Sequence, residues 1–232
     1  MPEGRSQADD YLEAFVPANP VEPAQSVFMV IDMQYASASR DRGLGRKLAE
    51  EGREALGTYR FDRIEKLVVP NIKRLIAGFR AAGSTIVYLT VGSQRADFSD
   101  MPPHMEGFAR WVDNREGTAE HEILAELAPA PGDIVLNKTT VSGFTSPDLD
   151  RLLREQAVRN VVIAGVSTNS CVETTARDAA DRGYFTTVID DACGAARPEF
   201  HAATLASFRR LFGRVATTEQ MLSELAAAGP TS

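Results

Sequence analysis

Three side chains with complementary chemistry follow three separate apolar runs of the sequence. They are the carboxyl group of Asp32, the amine of Lys138 and the thiol of Cys171. A free thiol, with a pKa of ~8.5, is mostly protonated at neutral pH, whereas the reactive nucleophile is the thiolate. A nearby ammonium and a helix N-terminus favour the thiolate, and a carboxylate can accept its proton and later return it to a leaving amine. Together these residue types predict nucleophilic attack on a carbonyl carbon, provided that the fold brings them together.

The apolar runs themselves predict a parallel sheet, because they are short, rich in β-branched residues and show no alternation. They are Val27–Ile31, Thr85–Leu89, Asp133–Leu136, Asn160–Ala164 and Thr186–Ile189, with Arg214–Ala216 as a weaker sixth candidate. Helical patterns lie between them, such as the apolar spacing from Leu67 to Phe79 before a capping Gly83. This alternation predicts a three-layer α/β/α fold around an open, six-stranded, mostly parallel, Rossmann-like sheet. The reactive residues would then converge at the carboxyl edge of the sheet, where such folds bind ligands.

Each reactive residue also has a structural interpretation. An aspartate after a buried strand often caps a helix, and a lysine at the end of a strand is usually solvated. A lone cysteine is more often a small core residue than a nucleophile. The placement of all three types at strand ends favours the catalytic interpretation.

Composition limits the classes of partner. The chain has 232 residues, of which 44% are hydrophobic, and a formal net charge of −7. This length fits one large α/β domain, and the acidic balance argues against a nucleic acid or an anionic membrane as partner. No apolar run is long enough to span a bilayer and no secretory signal is visible, so we expect a cytoplasmic protein. The two cysteines fit a reduced compartment, and Cys193, in a small and apolar context, is expected to pack in the core.

Domain organisation follows from the same patterns. Residues 1–25 are expected to form an N-terminal arm, residues 26–220 the domain, and residues 221–232 a C-terminal tail. Residues 35–62 and 91–117 do not fit the simple alternation and follow strand ends. They are interpreted either as lids over the ligand site or as subunit contacts of a homo-oligomer, a dimer or a tetramer, and both interpretations stay open.

Several segments carry a family resemblance. They are Val30–Gln34 (VIDMQ), Asn137-Lys138 followed by Ser142–Phe144 (SGF), and Gly165–Val172 (GVSTNSCV), with further matches at Thr174–Ala179 and Asp190–Ala195. In this order they resemble the signature blocks of the isochorismatase-like cysteine hydrolases, over roughly residues 26–220. The resemblance implies a catalytic triad of Asp32, Lys138 and Cys171. It also implies a cis peptide bond between Val166 and Ser167, with the N–H groups of Ser167 and Cys171 forming an oxyanion hole.

The resemblance also implies a reaction class, the cysteine-dependent hydrolysis of a small amide, with carbamoyl and ureido amidases as the most similar activities. Attack by sulfur would give a thioester and release ammonia or an amine, without a cofactor. Retention of Cys171 favours C–N cleavage over the ether cleavage of isochorismatases proper. His104, His121 and His201 lack the nicotinamidase metal pattern, so no metal is expected and these side chains are interpreted as surface or loop groups. An ether hydrolase and a non-catalytic, ligand-binding member of the superfamily remain the alternatives.

Candidate substrate contacts come from residues near the three blocks. Tyr35, Trp111 and Phe144 are candidate walls of the site, and Gln34 and Asn169 are candidate polar contacts; core packing is the alternative for all of them. Arg95 or Arg110 are candidates to bind a substrate carboxylate, with a solvated loop arginine as the alternative.

Overall fold

The six predicted strands all form and belong to one sheet. The computed structural model describes residues 11–12, 15–17 and 19–229. The strands are β1 (Ser26–Ile31), β2 (Thr85–Val91), β3 (Ile134–Lys138), β4 (Asn160–Val166), β5 (Phe185–Gly194) and β6 (Arg214–Ala216). Their order is β3-β2-β1-β4-β5-β6, and every neighbouring pair is parallel. The predicted three-layer α/β fold is therefore confirmed.

Helices cover both faces of the sheet. They are α1 (Tyr35–Ala38), α2 (Gly43–Glu50), α3 (Thr58–Arg63), α4 (Val69–Ala81), α5 (Pro103–Trp111), α6 (Leu149–Glu155), α7 (Glu173–Asp181), α8 (Pro198–Leu211) and α9 (Thr218–Ala228). Two wide π-helical turns join this set: Ile64–Val68 leads from α3 into α4, and Thr168–Val172 leads into α7. No helix within the described ranges is long and apolar enough to cross a membrane.

The central strand β1 is buried on both faces, which explains its unbroken apolar sequence. Phe28 points to the core beneath α4 and stacks on Phe79, with ring centroids 5.0 Å apart. Met29 points to the opposite core, which it shares with Leu149 of α6 and Ala176 of α7. Burial of each large apolar side chain contributes about 1.5–3 kcal/mol, so both layers hold β1, and with it the residue that follows, in place.

The described parts of the two terminal segments pack against the domain. The C-terminal segment expected as a tail continues α9 to Ala228 and buries Met221 and Leu225 against α4. Within the expected arm, Val21 is buried and the Pro23 carbonyl accepts a hydrogen bond from Ser84 Oγ at 2.8 Å. Residues 1–10 of the arm lie outside the described residues, as do residues 13, 14, 18 and 230–232.

The carboxyl end of β4 approaches β1 closely, and this approach requires a glycine. Gly165 has a φ of 123°, and a Cβ at this position would overlap the carbonyl oxygen of Ile31. The register between β4 and β5 shifts at the same point, between Ile163 and Gly165. The chain therefore leaves β4 directly beside the end of β1, where Asp32 lies.

Candidate active site

Asp32 and Lys138 form a buried ion pair at the carboxyl edge of the sheet. Lys138 Nζ lies 3.0 Å from Asp32 Oδ2, and the exposed fractions are 0% for the lysine and 3% for the aspartate. Asp32 has a φ of 51°, a left-handed conformation that aspartate tolerates better than most residues. Its backbone is fixed on both sides, because its N–H donates to the Leu89 carbonyl and its carbonyl accepts from Ser37 Oγ at 2.7 Å.

Cys171 lies beside this pair, in the π-helical turn that leads into α7. The thiol is 7% exposed, lines the same cavity as Asp32, and interacts with the side chains of both Asp32 and Lys138. Asp32 Oδ1 is buried and has no hydrogen-bond partner among the described residues, so this oxygen is free to accept the proton of the thiol. The structure thus brings together the three side chains that the sequence placed at separate strand ends.

The charges in the cluster depend on burial. Burial raises the pKa of the Cys171 thiol to about 12, and the Asp32 carboxylate adds to this effect, whereas Lys138 opposes it. Burial also raises the pKa of Asp32, against the attraction of Lys138. Burial disfavours the Lys138 ammonium, but Asp32 and Cys171 outweigh this and raise the Lys138 pKa. The resting cysteine is therefore a thiol, and the expected thiolate-favouring effect of Lys138 is outweighed by burial and Asp32.

Replacement of Asp32 by asparagine is expected to lower the pKa of the Cys171 thiol. Removing the carboxylate leaves two cations, the Lys138 ammonium and the Arg60 guanidinium, as charges that interact with the sulfur, and a nearby positive charge lowers a thiol pKa. The ultraviolet absorbance of the thiolate, followed against pH, should therefore appear at a lower pH in D32N than in the parent or in the exposed-site control D62N. An equal or higher titration midpoint in D32N would contradict this account of the cluster.

The turn that carries Cys171 has a further signature. The Val166–Ser167 peptide bond is cis, as the resemblance implied. Ser167 lines the cavity beside Ser170 and Cys171. The Ser167 carbonyl accepts hydrogen bonds from the N–H groups of Ser170 and Val172, which fixes the turn around the thiol. This arrangement can present a nucleophile and backbone donors to one carbonyl group.

The cavity in front of the cluster measures about 310 Å³, which suits a small molecule. Its walls come largely from the two segments that the sequence left open as lids or subunit contacts. Ser37, Leu44 and Arg60 belong to residues 35–62, whereas Met101, His104, Met105, Phe108, Ala109 and Asn114 belong to residues 91–117. Both segments therefore line the site, and much of the wall contributed by residues 91–117 is apolar.

The two predicted polar contacts of the substrate lie away from this cavity. Gln34 is fully buried and bridges two chain segments: its Nε2 donates to the Val91 and His121 carbonyls, and its Oε1 accepts from the Val91 N–H. Asn169 is exposed in the π-helical turn. Neither side chain lines the cavity.

The three predicted aromatic walls also lie elsewhere. Tyr35 packs against the core beneath α4 and accepts a hydrogen bond from the Ala125 N–H at 3.3 Å. Trp111 contacts the same core. Phe144 is buried in the opposite core and stacks on Tyr184, with ring centroids 6.1 Å apart. For these residues the geometry matches the packing alternative.

Sequence reasoning missed two buried polar groups of the cavity wall. Arg60 is 6% exposed and Asn114 is 2% exposed, although both come from segments without clear periodicity. Asn114 Nδ2 donates to the Val91 carbonyl at 2.7 Å, whereas its Oδ1 is buried without a partner among the described residues. The only sequence signal was that both segments follow strand ends.

His201 corrects the interpretation of the histidines as surface or loop groups. It is 7% exposed on α8, and its Nδ1 lies 2.9 Å from Thr168 Oγ1. Its Nε2 lies 2.7 Å from Asp190 Oδ1. Because Thr168 opens the turn that carries Cys171, this chain of hydrogen bonds connects the turn to α8 and β5. Across the described part of the chain, no group of three or more histidine, cysteine, aspartate or glutamate side chains could hold a metal ion.

Comparison with known proteins gives matches over nearly the whole chain. The family model described as the isochorismatase domain matches residues 26–220. The ureidoacrylate amidohydrolase RutB of Rhizobium rhizogenes is 30% identical, with 99% of this chain and 95% of that protein covered. The protein of the same name from an Enterobacter species is 34% identical, with 84% and 86% covered.

Solved structures show the same similarity in three dimensions. A cysteine hydrolase from Pseudomonas syringae pv. phaseolicola superimposes with a TM-score of 0.76 at 25% identity, over 92% of this chain and 98% of that chain. The N-carbamoylsarcosine amidase from Thermoplasma acidophilum superimposes with a TM-score of 0.63 at 25% identity, over 84% and 97%.

Proposed function

Because the chain belongs to the isochorismatase family, we propose that Asp32, Lys138 and Cys171 are the catalytic triad of an amidohydrolase that cleaves a ureido or carbamoyl C–N bond. Cleavage of a non-peptide C–N bond is the reaction class of its similar relatives. One observation carries the proposal: a thiol, a carboxylate and an ammonium interact at the end of a cavity of small-molecule size. A buried ion pair is often no more stabilising to the fold than two hydrophobic side chains of similar volume. Stability alone therefore does not explain why this pair is present.

In the first half of the reaction, Asp32 accepts the proton of the Cys171 thiol and the sulfur attacks the carbonyl carbon. The Lys138 ammonium stabilises the sulfur anion as it forms. The N–H groups of Ser167 and Cys171 hold the oxyanion of the tetrahedral intermediate. When this intermediate collapses, the C–N bond breaks and Asp32 gives its proton to the leaving nitrogen, which departs as ammonia or an amine.

In the second half, water removes the acyl group from the sulfur. Asp32 accepts a proton from water, the resulting hydroxide attacks the thioester carbonyl, and the sulfur leaves and regains its proton from Asp32. If ammonia was the first product of a ureido substrate, the enzyme carries an N-substituted thiocarbamate. Its hydrolysis gives a carbamate, which loses carbon dioxide to form the free amine. No cofactor takes part in these steps.

The cavity wall supports a ureido or carbamoyl substrate. Such a group carries several N–H donors, and the buried Oδ1 of Asn114 is an acceptor without a partner among the described side chains. Two similar proteins are named for substrates that carry a ureido or a carbamoyl group: ureidoacrylate amidohydrolase and N-carbamoylsarcosine amidase.

The proposal also includes a cellular setting. The mechanism needs Cys171 as a thiol, and both cysteines are unpaired and buried, which suits the reducing cytoplasm. A homo-oligomer, either a dimer or a tetramer, stays a prediction that sedimentation of the purified protein would test.

Iodoacetamide is expected to abolish ammonia release by alkylating Cys171 while Cys193 stays unmodified. Cys171 opens to the cavity and lies beside Asp32, which can accept its proton as the sulfur reacts, whereas Cys193 is 0% exposed, so the second thiol is an internal control of the same reagent. The experiment screens small amides and ureido acids for ammonia release, then follows loss of activity and peptide masses together. Full ammonia release after complete modification of Cys171 would show that this thiol is not the nucleophile. No ammonia release from any compound in the panel would favour an ether hydrolase or a ligand-binding protein.

A further inference from the structure

Arg60 on α3 places a buried guanidinium in the wall of the cavity. Its Nε and Nη2 donate to the Ser37 carbonyl at 3.0 and 2.9 Å, and its Nη1 donates to Ser167 Oγ at 2.7 Å. These three bonds fix the plane of the guanidinium beside the residue whose N–H is proposed to bind the oxyanion. A guanidinium has five N–H bonds, so two of them are not used by these contacts.

All the acceptors that contact Arg60 are neutral. No aspartate or glutamate of residues 19–229 lies within ion-pair distance of it, and the nearby Asp32 is already paired with Lys138. Burial lowers the pKa of Arg60 to about 10, so it still carries its charge at neutral pH. A buried charge is normally retained only when it is paired, and a cavity that holds an unpaired cation is therefore suited to an anion.

We propose that Arg60 binds the carboxylate of the substrate, so that the enzyme selects ureido carboxylic acids over neutral ureas and esters. This inference rests on the proposed function and names the substrate class of the same site. A planar guanidinium fork matches a carboxylate, and its position at Ser167 places the anion within a short linker of the scissile carbonyl. The linker then faces the apolar wall formed by Met101, Met105 and Phe108.

The two arginines that the sequence offered as carboxylate partners are less suited. Arg110 is half-exposed, and its Nη2 already contacts Glu106 Oε1 at 2.7 Å and the Asp97 carbonyl at 2.6 Å. Arg95 is exposed and donates to Ser99 Oγ. Neither lines the cavity. Arg60 differs from both because it is buried, fixed and without a carboxylate partner.

The test compares ureidopropanoate with its methyl ester, because the two compounds share the ureido group and differ in one charge. Ammonia release by the unmodified enzyme should favour the acid by on the order of 100-fold in kcat/KM. R60M, which keeps an unbranched apolar side chain without the guanidinium, should lose most of this preference, because activity on the acid falls much more than activity on the ester. R60K should regain part of the preference, and R110Q, the matched control, should keep it.

Several results would overturn this role of Arg60. Equal turnover of acid and ester by the parent enzyme would do so without any variant, even if R60M failed to fold. An equal loss on both compounds in a folded R60M would assign Arg60 to the chemical step, and loss of preference in R110Q would move the contact to α5. Absence of ammonia from both compounds and from every other ureido compound would instead reject the proposed function itself.

Discussion

Replacement of Cys171 by alanine is expected to reduce ammonia release by at least about 10⁴-fold, because the variant has no atom that can form the acyl-enzyme. The fold should survive, since the thiol lines a cavity and its loss creates little new void. Steady-state ammonia release and thermal unfolding measure the two effects separately. Serine at the same position should be similarly inactive, because its hydroxyl group is far less acidic than a thiol and gives up its proton to Asp32 much less readily.

Cys193 provides the matched control for this experiment. It is fully buried and its Sγ lies 4.0 Å from the Ile163 carbonyl, far from solvent. Alanine at this position should cost about 1 kcal/mol of unfolding free energy, as for a typical core substitution, and leave ammonia release nearly unchanged. Ammonia release by C171A at a rate close to that of the parent would show that Cys171 is not the nucleophile.

Replacement of Lys138 by methionine is expected to abolish hydrolysis and to destabilise the fold by about 3–5 kcal/mol, because it leaves the buried Asp32 carboxylate without its cation. Lys138 is 0% exposed, and besides Asp32 its Nζ contacts the Thr140 carbonyl at 3.2 Å and interacts with the Cys171 thiol. Urea unfolding at neutral pH measures the loss of stability. K66M, which removes an exposed lysine paired with Asp62, is the matched control and should change unfolding by no more than about 1 kcal/mol.

Adding D32N to K138M separates the effect of the ion pair on stability from its effect on catalysis. In the double variant with K138M, neither of the two positions carries an uncompensated charge, so much of the lost stability should return, whereas hydrolysis should stay absent. Recovery of activity in the double variant, or a single variant as stable as the parent, would contradict the role of the pair.

The loss of unfolding free energy in K138M, relative to the parent, should also depend on pH. Burial raises the pKa of Asp32, and loss of Lys138 removes the main opposing effect. Below the ordinary aspartate pKa of about 3.9, both folded and unfolded states are protonated and the charge penalty is absent. The penalty then grows as the pH rises towards the raised pKa of the folded state, so the variant should be closest to the parent in acid.

The sequence could predict the meeting of Asp32, Lys138 and Cys171 because one geometric rule governs it. Residues just beyond the carboxyl ends of parallel strands share one edge of the sheet, and the strands were visible as apolar runs. The strand ends were placed within one or two residues for most strands. β5 was the exception, because its polar second half, Asp190-Asp191, hid the continuation of the strand to Gly194.

The walls of the site could not be predicted in the same way. Their side chains come from short helices whose orientation depends on tertiary packing, and a two-residue offset on a helix turns a side chain by about 200°. On α5, Met105, Phe108 and Ala109 line the cavity, whereas Trp111 contacts the core. Arg60 was equally hidden, since a buried arginine has the same sequence signature as a solvated one.

The most direct test is to quench the enzyme in acid during turnover of a ureido substrate and to determine the mass of the peptide that contains Cys171. The acyl group of the substrate should be attached to this sulfur and to no other residue. Dilution of unquenched enzyme into buffer without substrate should release the acyl group. An acyl group on a different side chain, or an unmodified Cys171 peptide in enzyme saturated with substrate, would contradict covalent catalysis by this thiol.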